Sequence, residues 1–203
     1  MGAVLAIDSA APRLQLALLA ADGQLETLVE DMQTGQAERL FPAINALLGR
    51  KNLAYGDLAR IAVTSGPGSF TGVRIGLSAA RGLALALGVP ALGIPTLTAI
   101  SLAKAMPLAV LLDARRNEAY LQIFAGPGAP IGLPLLLPID DARGRIPAGT
   151  EIVTSPFIDI AALARFAATA DPAAFPPEPN YIRDADAKPQ ERFRVARVPE
   201  TAP

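Results

Sequence analysis

Residues 61–88 read IAVTSGPGSFTGVRIGLSAARGLALALG, and local signals divide the stretch into three. Ile61 to Thr64 is a short apolar run of the kind that forms a buried strand. Ser65 to Thr71 carries two glycines and a proline, the composition of a turn. From Gly72 to Leu87 small and apolar residues recur at helical spacing until Gly88 and Pro90, a normal helix stop. Strand, glycine loop and helix in that order form a unit of α/β folds.

Toward the N-terminus, Val4 to Ile7 reads as a buried strand, Leu14 to Leu19 as a second and Gln24 to Val29 as a third. The turn signals Ala11-Pro12 and Asp22-Gly23 separate them, so an antiparallel meander is expected. Leu40, Ile44, Leu47 and Leu48 then recur at helix spacing, with Glu38 near the start, where the macrodipole favours a negative charge. Either this helix begins at Phe41 with Pro42 in its first turn, or it begins earlier and kinks at Pro42. Toward the C-terminus, Ala91 to Ile94 is a strand, Thr96 to Lys104 a helix capped by Thr96, and Leu108 to Leu112 a strand that delivers Asp113 at its end. Ala119 to Phe124 and Leu133 to Leu137 follow as strands, a weaker echo of the opening that points to an internal duplication. After Glu151 to Val153 and an Ala-rich helix from about Ile158 to Ala168, Asp171-Pro172 and Phe175-Pro176-Pro177 mark a change of composition. The expected organisation is an N-terminal lobe over 1–106, a reduced second lobe over 107–170 and a Pro-rich tail over 171–203 that either lies along a surface or is partly mobile rather than packing a core.

Composition narrows the function classes. Of 203 residues 51% are hydrophobic but only 5% aromatic, so the core is built from Ala, Leu, Ile and Val. With 18 basic against 19 acidic residues, the whole chain carries no electrostatic footprint for nucleic acid. It has neither Cys nor His. Disulfides, thiol nucleophiles, His-ligated metals and the usual general base are thereby excluded. The opening MGAVLAIDSA has no basic n-region and reads as a strand rather than a signal peptide. The apolar stretch near Leu97 to Leu112 is cut by Lys104 and Pro107, short of the ~20 residues a membrane span needs. The chain reads as soluble and cytoplasmic.

Three segments could carry chemistry. Gly66, Gly68 and Ser69 lie in a strand-to-helix loop, where free amides and the helix dipole attract anions, yet no Lys follows Gly72 and the Rossmann spacing is absent. The other reading is a tight turn whose glycines serve positive φ or close packing. Asp8 and Asp113, each ending a strand, could pair to hold Mg²⁺ as in a two-lobed phosphotransferase or ATPase, or merely cap their loops. The turn Ser9-Ala10-Ala11 after Asp8 lacks the glycine such enzymes use. Finally, Gly72, Gly76, Ala80 and Ala84 fall at steps of four on one helix face, with Arg74, Ser78 and Arg81 on a neighbouring face. That face fits either a partner helix or the chain's own sheet. Arg115-Arg116 and the tail's Arg192, Arg194 and Arg197 are either RNA-phosphate contacts or solvated charges.

The opening Leu5-Ala6-Ile7-Asp8-Ser9-Ala10, the segment Gln36-Ala37-Glu38-Arg39-Leu40 and above all Gly66-Pro67-Gly68-Ser69-Phe70-Thr71-Gly72-Val73-Arg74-Ile75-Gly76 resemble the TsaB family, formerly YeaZ. The similarity continues through Gly82-Leu83-Ala84, Pro95-Thr96-Leu97 and Asp113-Ala114-Arg115 with Glu118-Ala119-Tyr120, and ends in Tyr181-Ile182-Arg183 with Ala185-Asp186-Ala187-Lys188-Pro189. The resemblance implies an α/β fold of the ASKHA type (actin, sugar kinase, Hsp70), two-lobed with a reduced second lobe. It also implies a non-catalytic dimerisation subunit for tRNA threonylcarbamoyladenosine modification beside the anticodon, with no cofactor or metal of its own. The implied partners are the transferase TsaD, a larger paralogue, and the ATPase TsaE, with tRNA reached indirectly through the complex. TsaD is bound in that family through two helices that map here to about Glu38–Leu48 and Gly72–Leu87. The implied interface residues are Leu40, Ile44, Leu47, Gly72, Arg74, Gly76, Leu77, Ala80, Arg81 and Ala84, and the same helices could pair two copies when the chain is alone. Two departures stand out: many relatives carry His where Gln36 stands, and the segment between Pro130 and the tail looks shorter.

Overall fold

The opening meander forms as its turns require. Strand β1 (Ala3–Asp8) pairs antiparallel with β2 (Arg13–Leu19), which pairs antiparallel with β3 (Leu25–Asp31). The structure, a computed structural model, describes residues 2–104 and 107–182. The sheet is completed by β4 (Leu58–Thr64), parallel to β1, and β5 (Ala91–Ile94), parallel to β4, in the order β3-β2-β1-β4-β5. Helix α1 (Gln36–Arg50) connects β3 to β4, and α2 (Phe70–Leu87) connects β4 to β5. Pro42 therefore lies inside α1 rather than in its first turn. Arg39 Nε and Nη2 donate to the two Glu30 carboxylate oxygens, tying α1 to β3 and holding the Glu30 carboxyl below its usual range.

Helix α3 (Thr96–Ser101) leads into a second sheet. Thr96 does not cap it: Pro95 holds the cap position, and Thr96 is already helical, so its hydroxyl cannot swing over the first-turn amides. In the second sheet β6 (Leu108–Asp113) pairs antiparallel with β7 (Glu118–Gly126), β7 antiparallel with β8 (Ala129–Pro138), and β6 parallel with β9 (Glu151–Val153). The order β8-β7-β6-β9 repeats β3-β2-β1-β4 of the first sheet, with no counterpart of β5 among the described residues. The duplication expected from sequence is thus a topological repeat, and the architecture is an ASKHA-like α/β fold.

Two helices complete the core. The six-residue α4 (Ile139–Gly144), not expected from sequence, lies over β7 and β8, and α5 (Ile160–Thr169) packs on β1, β2 and β4. The sheet face beneath α5 is made small by Ala6, Ala17 and Ala62, so Ala164 and Ala167 approach it closely. Arg60 Nη1 donates to the Ala167 and Ala170 carbonyls at 3.1 and 2.6 Å, satisfying the end of α5. Beyond α5 the chain straps the open edge of β5, where Gly93 N donates to Phe175 O, and then reaches the loop after β4, where Asn180 N donates to Ser65 O. Arg192, Arg194, Arg197 and the motif residues from Arg183 onward lie outside the described residues.

Candidate functional site: the paired helices and the glycine loop

Seven of the ten residues expected at the partner interface face inward. Leu40, Ile44, Leu47, Gly72, Gly76, Leu77 and Ala80 are buried against the first sheet, Ala84 is half-buried, and only Arg74 and Arg81 stand exposed. The cause is close approach. A Cβ on Gly76 would stand 2.8 Å from Ser9 Oγ and 3.0 Å from Val63 Cγ2, and one on Gly72 would overlap the Ser9 carbonyl oxygen. The small-residue face therefore seats α2 on β1 and β4. The larger apolar residues are left on the other side.

That outer side forms an open groove of about 840 Å³ between α1 and α2, lined by Ala37, Phe41, Phe70, Arg74, Ile75, Ser78, Gly82 and Leu83 among others. Phe70 is 60% exposed, Phe41 44% and, nearby on α2, Leu85 87%. The Arg74 guanidinium stacks 3.4 Å from the Phe70 ring centroid and donates to Tyr181 Oη at 3.2 Å. Helix α2 reaches 18 residues with mean hydropathy 1.2, enough by length and composition to cross a bilayer, but one face is seated on the sheet. An aromatic pair beside a guanidinium, in an apolar groove, has the make-up of a binding hot spot.

The glycine loop is engaged from within. Ser69 N donates to Ala10 O at 2.7 Å, Gly72 N to Ser69 Oγ, and Val73 N to Ser69 O. A Cβ on Gly68 would stand 2.6 Å from the same Ala10 oxygen. Gly66, at φ +103°, places its carbonyl to accept from Thr96 N at 2.7 Å, a backbone shape glycine allows. The Ser69, Gly72 and Val73 amides, the donors a phosphate would need, are thus already taken up within the chain.

Asp8 and Asp113 differ in setting. Asp8 is buried and accepts from Thr64 Oγ1 at 2.6 Å, from Ala10 N at 3.0 Å and from Gln15 Nε2 at 3.0 Å. Burial pushes its carboxyl above the usual value, with these hydrogen bonds and Arg13 countering. Asp113 is exposed and caps its own turn through Arg115 N, while Arg115, Arg116 and Asn117 all hold positive φ. Since the folded value of Asp8 lies above the unfolded 3.8, its contribution favours folding below 3.8 and is lost as pH rises through the folded value. In Asp8→Asn an acceptor remains for Thr64 and Ala10, and the Gln15 amide can turn to offer its oxygen. The variant is therefore expected to gain stability over the parent at neutral pH and to lose that advantage on acidification. Urea denaturation at several pH values checks this; an advantage that grew with acidity would refute the assignment.

Residues 30–126, which hold α1, the loop and α2, match the family described as TsaD, tRNA N6-adenosine threonylcarbamoyltransferase. The tRNA threonylcarbamoyladenosine biosynthesis protein TsaB of Bacillus subtilis is 33% identical over 125 residues, 60% of this chain and 54% of that protein. YeaZ from Pseudomonas aeruginosa has a TM-score of 0.74 at 26% identity, covering 89% of this chain and 100% of that one. In sequence and in fold the chain is similar to TsaB and YeaZ proteins. A second Pseudomonas aeruginosa structure, described as similar to peptidase YeaZ, has a TM-score of 0.77 at 25% identity, covering 90% of this chain and 100% of its own. The matched sequence spans about half the length of the curated TsaB relative. The groove residues Phe41 and Phe70 were not singled out as contacts from sequence. Their signal was the surplus of apolar side chains around α2, more than one buried face can use.

Proposed function

We propose that the chain is a non-catalytic subunit required for tRNA threonylcarbamoyladenosine modification, and that it binds and activates the TsaD transferase. The observation that carries this is the apolar groove between α1 and α2, with Phe41, Phe70 and Arg74 presented on its rim. A TsaD-type partner is itself similar to this chain over residues 30–126, so it carries a comparable helix pair, and two such pairs can bury their outer faces together. TsaE joins the assembly in this reading, and tRNA is engaged through the complex.

Reconstitution tests it. The chain, the TsaD paralogue, the adenylate-forming enzyme, TsaE and tRNA are combined, and threonylcarbamoyladenosine is quantified by mass spectrometry with and without the chain. Modification is expected only when the chain is present. Equal rates in its absence would refute the role.

A further inference from the structure

The strap that ends in Tyr181-Ile182 is anchored at both ends. Phe175 meets Phe166 of α5 edge-on at 5.4 Å between ring centroids, and Ile182 packs against the same core cluster. Between these anchors the backbone runs close over two glycines: a Cβ on Gly93 would stand 2.6 Å from Pro176 O, and one on Gly66 3.3 Å from Asn180 O. Asn180 N then donates to Ser65 O at 2.8 Å. A chain seated this closely delivers Tyr181 to one place, the start of α2. There the Tyr181 hydroxyl accepts from Arg74 Nη2 at 3.2 Å, and the Phe70 ring centroid lies 3.4 Å from the guanidinium carbon. A free arginine side chain loses rotamer freedom when a partner orders it; one already held by a ring and a hydroxyl has less to lose. Among the described residues no carboxylate pairs with Arg74, and α2 carries no acidic residue of its own.

We infer that the strap belongs to the partner-binding face: Tyr181 is a positioning residue that, with Phe70, presets Arg74 to take a carboxylate of the TsaD-type partner in a bidentate pair. The inference rests on the proposed TsaD reading of the groove, which Phe70 and Arg74 help to line. A cation with no internal counter-ion, fixed at the edge of an apolar groove, is complementary to an acid on the facing surface. Arg81 supplies the contrast. It lies about two turns further along the same face of α2 and is likewise exposed, but among the described residues no ring and no hydroxyl holds it. A carboxylate drawn to Arg81 must first order that side chain.

Isothermal titration of the full chain with the TsaD partner tests this. Arg74→Ala is expected to weaken binding about 30-fold and Arg81→Ala only about 3-fold. Tyr181→Phe keeps the ring and is expected to weaken binding about 5-fold, with the melting temperature of the free chain unchanged. Made in an Arg74→Ala background, the same substitution is expected to have no further effect, since a hydroxyl that acts through Arg74 then has nothing to hold. A Tyr181 that served only to fasten the strap would show its effect in both backgrounds and in the melt. Equal losses at Arg74 and Arg81, unchanged affinity in Tyr181→Phe, or effects of Tyr181 and Arg74 that simply add would each overturn the inference, while the groove reading stands if Phe41→Ala weakens the complex. A parent chain that does not bind the partner would overturn both.

Discussion

Removing the two groove aromatics together, Phe41→Ala with Phe70→Ala, is expected to lower affinity for the TsaD partner by about 100- to 1000-fold, roughly 3–4 kcal/mol, with little change in the stability of the free chain. The asymmetry follows from exposure. Both rings already meet water in the isolated chain, so truncation there removes little buried area. In a complex they would be the large rigid anchors of an otherwise shallow groove, and Arg74 would lose the ring on which its guanidinium stacks. Isothermal titration with the partner, beside a thermal melt of the variant alone, separates the two effects. Unchanged binding would move the contact away from α1 and α2. A collapsed melting temperature would mean that the rings support the fold instead.

The contrast with Ala80 shows what periodicity can and cannot reveal. The steps of four at Gly72, Gly76, Ala80 and Ala84 were legible, and they do mark a close contact, but the contact is with β1 and β4. Helix α2 is apolar on more than one face, so spacing alone cannot say which face turns inward. Small residues go inward where a backbone must come near, and here the Ser9 carbonyl does. A charge at Ala80, which is fully buried, would therefore unfold the chain rather than probe a surface. The outer face could be found only by asking which apolar residues were left over.

The strands were legible to within a few residues because each is bounded by a turn signal, and the duplication showed as a repeat of strand spacing. Helix α4 escaped because it is six residues long and buries only Ala142, too little to make a period. The strap from Asp171 to Ile182 carries no regular element beyond a short 3-10 turn, so its pairing with the edge of β5 rests on backbone groups that no side-chain pattern announces.

Gly72→Ala is expected to be the most damaging single methyl in the chain. The added Cβ would overlap the Ser9 carbonyl oxygen, and relief means lifting the start of α2 from the turn after β1. That movement strains the two hydrogen bonds that tie the turn to the helix start: Ser9 Oγ to Gly72 O at 2.8 Å and Ser69 N to Ala10 O at 2.7 Å. Overpacking against backbone of this kind costs about 2–4 kcal/mol, which for a chain of this size lowers the melting temperature by roughly 5–15 °C. Gly82 is the control. It lies in the same helix, a Cβ there meets nothing within 4 Å, and Gly82→Ala is expected to raise stability by roughly 0.5–1 kcal/mol through helix propensity. Opposite signs for two identical substitutions ten residues apart would separate helix propensity from close packing as the reason for glycine at each position. If both variants melted alike, the close seat of α2 on the Ser9 turn would be wrong, and the exposed groove, which that seat positions, would have to be drawn again.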